Sequence, residues 1–164
     1  MNIFVSFPCP QRSARYLDDQ RVVKMILESC QMLSTVTHII GHWQPGFPKP
    51  THVLHPCLLW VAEARENWEW LVEHAHALDG ERLRRMGSTK PHKTLTLMTK
   101  RNVTALARFL PAGSTPHVNC ARNRDLGLDF TNVPNVHLAY RKYLRARWLL
   151  QKRRPICSIS YEHR

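Results

Sequence analysis

The chain has 164 residues, 43% of them hydrophobic, and a mean hydropathy of −0.38, which fits one water-soluble domain rather than a membrane protein. Lys and Arg number 24 against 12 Asp and Glu, giving a formal net charge of +12 and a pI of about 10.1. Such self-repulsion on a small chain points to a polyanionic partner, and no run approaches the ~20 apolar residues of a membrane span.

In chain order, Met1-Asn2-Ile3-Phe4 lacks the basic start and long apolar core of a signal peptide, so a cytoplasmic location is expected. Residues Ile3 to Phe7 read as a short strand or extended arm, closed by Pro8-Cys9-Pro10, which cannot continue a sheet. A helix is predicted from about Gln11 to His38, with Val23, Ile26, Leu27, Cys30 and Leu33 as its apolar stripe. Gly41 to Pro50 is a broken loop. A second helix starts at His55-Pro56, where Pro56 suits the first turn, and runs to about Leu78 with Leu59, Trp60, Ala64, Trp68 and Leu71 inward. Asp79-Gly80 is expected to interrupt it before Glu81 to Met86, with Gly87 as the stop.

A third helix is predicted from about Lys93 to Leu110, then an irregular stretch from Pro111 to Pro134. A last helix runs from Val136 to about Lys152 and stops before Pro155. The expected fold is mainly α: a compact single domain over 1–164, a bundle of about four helices with long loops that binds nucleic acid. The five cysteines (Cys9, Cys30, Cys57, Cys120, Cys157) form no C-x-x-C pair, so reduced, mostly buried thiols are expected rather than a disulfide framework or zinc knuckle.

Charge is unevenly distributed. No acid occurs from Arg82 to Arg124 or from Phe130 to Tyr161, whereas Glu63, Glu66, Glu69 and Glu73 stack at helical spacing. An acidic face opposite long basic tracts predicts phosphate-dominated, salt-dependent binding.

Within the first 62 residues the only acids are Asp18, Asp19 and Glu28. On a continuous helix Asp19 falls about 20° from Ile26 and so extends the apolar stripe, whereas Glu28 points to the far side and pairs with Lys24. Arg12, Arg15, Tyr16 and Arg21 flank the carboxylate, and Arg15 reaches Asp19 at i, i+4. An inward carboxylate among arginines has two readings: a buried Arg15–Asp19 lock on the helix, or a site. The site reading suits glycosidic-bond chemistry, because a fixed anion stabilises the positive charge that develops on the sugar as the base departs. Arginines hold the phosphates, and the target nucleotide leaves the stack first. A nuclease uses similar parts.

The segment Tyr16-Leu17-Asp18-Asp19-Gln20-Arg21-Val22-Val23-Lys24-Met25 resembles the Tyr–x–acid–x–x–Arg–Val segment of the small bacteriophage pyrimidine-dimer DNA glycosylases/AP lyases of the endonuclease V type. The resemblance implies a catalytic carboxylate at Asp18, where that family has Glu, and a DNA contact at Arg21; helix geometry favours Asp19 instead. It further implies an α-amine nucleophile exposed by removal of the initiator Met. Here Asn2 is too large to favour that removal, so either the Met1 amine serves or imine-forming lyase chemistry is absent. His52-x-x-His55-Pro56 and Lys152-Arg153-Arg154-Pro155, with Tyr161 beyond, are further echoes of the family. The whole chain also resembles a group of phage and bacterial proteins that begin Met-Asn-Ile-Phe-Val and carry Val-Val-Lys-Met-Ile-Leu-Glu, which implies no function.

Other candidates are weaker. His52 and His55, near His38 and His42, lack the flanking ligands of a zinc motif and read as a helix entry or as phosphate contacts, so no metal and no cofactor is expected. A nucleophile pair of Cys57 and His55 is the rival reading of that turn. Lys90, His92 and Lys93 form a basic loop at a helix start, suited to phosphate. Arg141 and Arg147 interleave with Tyr140 and Tyr143 on the last helix and favour backbone tracking. Of the five tryptophans, Trp43 alone is expected to be exposed.

The function expected is a DNA-damage glycosylase, with AP-lyase activity as an extension, acting as a monomer on a flipped nucleotide in duplex DNA. RNA stays open as the polymer. The alternatives are a non-catalytic nucleic-acid-binding regulator and a DNA-base-modifying transferase that needs a small-molecule donor.

Overall fold

The computed structural model describes residues 1–151, so Lys152-Arg153-Arg154-Pro155, Cys157 and Tyr161 lie outside the described residues. Seven α-helices appear in chain order: α1 (Pro10–Tyr16), α2 (Asp19–Ile39), α3 (Pro56–Glu63), α4 (Arg65–Met86), α5 (Lys93–Leu97), α6 (Lys100–Leu106) and α7 (Val136–Leu149). A 3-10 turn, Ala107–Phe109, follows α6. Two short antiparallel strands, β1 (Arg122–Asn123) and β2 (Leu128–Asp129), pair Arg122 with Asp129 and Asn123 with Leu128. The architecture is mainly helical, but with more and shorter helices than the apolar periodicity suggests.

Each extra break has a local cause. The first predicted helix splits because Leu17 and Asp18 are extended, with ψ of 148° and 165°. Asp18 is the N-cap of α2, its carboxylate accepting the Arg21 backbone N–H at 3.0 Å, which satisfies an orphan donor of the new helix. The second predicted helix breaks at Ala64, which is extended, and not at Asp79-Gly80, where α4 continues. Asp79 is held inside α4 by Arg82 Nε at 2.7 Å and accepts the backbone N–H of His92. Gly87 ends α4 at φ 63°, the left-handed region that suits a glycine after a helix. The third predicted helix divides at Met98 and Thr99, where Thr99 caps α6.

Helix α4 is the hub, packed against α1, α2 and α3. The core comprises Ile26, Cys30, Met32 and Leu33 of α2 with Trp60, Trp68, Leu71 and Leu78, and Tyr140 and Leu144 of α7 close another side. Val23, Leu27 and Leu59, placed inward by periodicity, are exposed instead. Trp43 is exposed, as expected.

The N-terminal arm is not a strand, yet Ile3 and Val5 are fully buried. Arg141 Nη1 donates to the Ser6 carbonyl at 2.7 Å, and His137 Nδ1 donates to the Val5 carbonyl at 3.0 Å. Phe4 stacks on Tyr143 with centroids 5.9 Å apart and meets Tyr140 edge-on at 6.0 Å. Its φ of 47° is costly for a residue with a Cβ, and the surrounding contacts hold it there. No helix among the described residues is long and apolar enough to cross a membrane.

Candidate active site

The arm delivers the chain's α-amine to helix α2. Asn2 Oδ1 accepts the backbone N–H groups of Ile3 and Phe4 at 2.8 and 3.1 Å, folding the start into a tight turn. Asn2 Nδ2 donates to the Cys120 carbonyl at 3.0 Å, and the Asn2 N–H donates to Glu28 Oε2 at the same distance. The Met1 ammonium then lies 3.6 Å from Glu28 Oε2, and Lys24 Nζ lies 3.5 Å from Oε1. The Lys24–Glu28 pair is the one expected from helix spacing. The placement of Glu28 is not: its side chain is only 12% exposed, because the arm covers a helix face that a free α2 would show to water.

A cavity of about 410 Å³ opens over this pair. One wall is Gln20, Arg21, Lys24, Met25 and Glu28 of α2 with Met1, Asn2 and Phe4; the other is Arg122 and Asn123 of β1 with Tyr143 and Arg147 of α7. Lys24, Arg21, Arg122, Arg147 and the α-amine give it a positive field around one carboxylate. Arg147 Nη1 donates to the Tyr143 hydroxyl at 2.7 Å, while its buried Nε has no partner. That leaves a donor inside the wall for an incoming acceptor. An amine and a carboxylate in contact, inside a cationic cleft of ligand size, are suited to nucleophilic attack on an electrophilic carbon beside phosphate.

Asp18 and Asp19 do not line this cavity. Asp18 is fully buried. Besides the Arg21 N–H it accepts Trp148 Nε1 at 2.6 Å, and it makes a close ion pair with the Arg21 guanidinium. Its lone pairs are used within the protein. Asp19, the first residue of α2, is partly exposed. The expected Arg15–Asp19 pair does not form, because the break at Leu17 and Asp18 turns α1 away from α2. Arg15 lies 3.9 Å from Glu81.

The other expected nucleic-acid residues fall into four places. Arg21 and Arg147 are in the cavity wall. Arg12 and Arg141 converge on the Phe7 ring at 4.2 and 4.9 Å, beside Arg145, which donates to the Tyr16 hydroxyl at 3.2 Å. Lys90 and Lys93 are exposed around His92, which caps α5. His55 caps α3 by accepting the Cys57 N–H at 3.2 Å, and His52 is exposed at φ 53° with Nδ1 2.6 Å from Thr51 Oγ1. His55 is held below its ordinary pKa mainly by burial, with the α-amine and His52 adding to this and Glu28 opposing it. His55 therefore lies in the field of the amine. No group of three or more His, Cys, Asp or Glu among the described residues is placed to hold a metal ion.

The cavity residues missed by sequence reasoning include Glu28, Lys24, Arg122 and Asn123. A usable signal was present on α2, where Arg21, Lys24, Met25 and Glu28 recur at i, i+3, i+4 and i+7 and so share a face. Nothing local marks Arg122 or Asn123, which the fold brings across from a hairpin.

No curated protein and no solved structure matches the chain. The family model for pyrimidine dimer DNA glycosylases matches residues 1–97, which include the arm, both aspartates and the whole α2 wall of the cavity. The chain belongs to the pyrimidine dimer DNA glycosylase family.

Proposed function

We propose that this protein excises damaged pyrimidines from duplex DNA, with the Met1 α-amine as nucleophile and Glu28, rather than Asp18 or Asp19, as the catalytic carboxylate. The observation that carries the reading is the 3.6 Å approach of the Met1 amine to Glu28 at the foot of a cationic cavity. A nucleotide turned out of the stack enters the cavity, which spares the protein from reaching into the duplex. The free amine attacks C1′ of the deoxyribose, the glycosidic bond breaks, and the base leaves with the bonding pair. Glu28 takes the proton that the amine sheds and steadies the positive charge on the sugar. Ring opening then gives an imine between Met1 and C1′. Loss of a C2′ proton from that imine expels the 3′-phosphate, which is the lyase step.

Lys24, Arg122 and Arg147 hold the flanking phosphates, and Arg12, Arg141 and Arg145 extend the backbone track over Phe7. The protein acts as a monomer. Excision from a duplex carrying one cyclobutane pyrimidine dimer tests the assignment. Glu28→Gln is expected to lower kcat by about 10²- to 10⁴-fold while DNA affinity stays equal or rises. Full activity in Glu28→Gln overturns it.

A further inference from the structure

Asn2 holds the start of the chain by both ends of its carboxamide. Oδ1 takes the Ile3 and Phe4 N–H groups, in a turn that leaves Phe4 at its positive φ of 47°. Nδ2 donates to the Cys120 carbonyl at 3.0 Å, and the same oxygen accepts the Arg122 N–H at 2.8 Å. The Cys120 N–H in turn donates to the hydroxyl of the buried Tyr140 at 3.1 Å, so this carbonyl is a fixed point of the fold. One oxygen thus ties the chain start to β1, which carries Arg122 on the opposite wall of the cavity.

Covalent geometry turns this anchorage into control of the amine. The Asn2 N–H donates to Glu28 Oε2 at 3.0 Å, which seats the planar Met1–Asn2 peptide against the carboxylate. With that plane in place, only rotation about the Met1 Cα–C bond moves the amine relative to Glu28. The same rotation swings the Met1 side chain, which is 2% exposed and packed against the core. Both freedoms are therefore removed at a position where chains ordinarily fray.

We propose that Asn2 is a positioning residue for the reaction: its carboxamide fixes the direction in which the Met1 amine leaves the arm, towards Glu28 and the cavity. The proposal rests on the reading of Met1 and Glu28 given above. Asn2 takes no proton and forms no bond to the sugar. It sets reach and angle, and a misplacement of about 1 Å can cost about 10²-fold in rate. Its size contributes as well, since a small second residue would favour loss of Met1 and leave the amine one residue further along the arm.

The test compares Asn2→Leu and Asn2→Asp with the wild type. Both new side chains are, like Asn, too large to favour removal of Met1, so the same amine is measured throughout. In single-turnover borohydride trapping on an abasic duplex, Asn2→Leu should lower the rate at saturating DNA by about 10- to 100-fold. The DNA concentration for half-maximal rate should stay put. Asn2→Asp keeps the acceptor for the Ile3 and Phe4 N–H groups but loses the donor to Cys120, and its rate should fall between the two. Without DNA, acylation of the Met1 amine by an acid anhydride should change several-fold in Asn2→Leu, while that of exposed Lys93 does not. Rates are taken where circular dichroism shows folded protein; should Asn2→Leu not fold, Asn2→Asp decides by a slower saturating rate at unchanged half-saturation. A wild-type saturating rate in either variant, a loss seen only in half-saturation, or unchanged Met1 acylation overturns the proposal. A wild-type adduct away from Met1 would sink the reading of the nucleophile, whereas a Met1 adduct formed at full rate in Asn2→Leu would sink only the role of Asn2.

Discussion

The carboxylate of Asp18 accepts a 2.6 Å hydrogen bond from the indole Nε1 of Trp148, 130 residues further along the chain. Through this contact Asp18 joins the start of α2 to the end of α7, the two helices that wall the cavity. It also fixes Arg21, a residue of the cavity wall. In the matching family segment this position carries an acid of catalytic repute; in this chain the same carboxylate is closed off from any substrate by its own partners.

Asp18→Ala strips a buried arginine of its counter-charge, and breaking such a pair from one side costs about 3–5 kcal/mol. Urea unfolding should show a loss of that order. Asp18→Asn, which keeps an acceptor for the α2 cap, should lose less and retain excision in proportion to the protein folded. A fully stable, fully inactive Asp18→Asn would return the catalytic role to this residue.

The phosphate role of the cavity's second wall predicts a change in salt dependence. Arg122→Gln and Arg147→Gln should each flatten the slope of log Kd against log salt by about 1, with similar losses on damaged and plain duplex. Glutamine at Arg147 removes the charge while keeping a polar side chain with an N–H donor. Unchanged slopes would remove these residues from the DNA path.

How far the sequence reveals this molecule depends on where each determinant lies. Pro56, Gly87 and the start of α7 are local signals, and helices begin or end there. The break at Asp18 was hidden because Tyr16, Val22 and Ile26 keep helical period across it, while the partner that favours capping, Trp148, is distant. At Asp79-Gly80 the opposite happened: a local breaker was overridden by Arg82 and the His92 N–H. Glu28 looked outward because helical geometry alone places it there. Only the return of the arm to α2, which is tertiary, covers it. The family resemblance points to the Met1 amine as nucleophile and to Asp18 as its carboxylate, whereas the carboxylate that the fold sets beside the amine is Glu28.

Two histidines give the fold an acid limit. Burial holds both His74 and His117 down at about 4. His74 Nδ1 donates to the Pro10 carbonyl at 3.0 Å while its buried Nε2 has no partner, and His117 stacks on Trp60 at 4.6 Å. With the folded value below the unfolded value near 6.5, the stability these groups contribute is complete above pH 6.5. It is lost as pH falls from 6.5 towards 4, at a cost on the order of 3 kcal/mol for His74. Thermal unfolding from pH 8 to 4 should show Tm falling below pH 6.5, and His74→Gln should show a shallower fall. A flat Tm across that window would contradict the burial of neutral imidazoles.

The Met1 amine is the atom proposed to meet the sugar. Its most direct measurement is borohydride reduction of the protein mixed with duplex DNA carrying a pyrimidine dimer or an abasic site, followed by peptide mapping of the adduct. The predicted result is a covalent protein–DNA species attached at the Met1 nitrogen, abolished by acetylating the α-amine and strongly reduced in Glu28→Gln. An adduct on a lysine, or excision that proceeds at full rate with the amine acetylated, would contradict it.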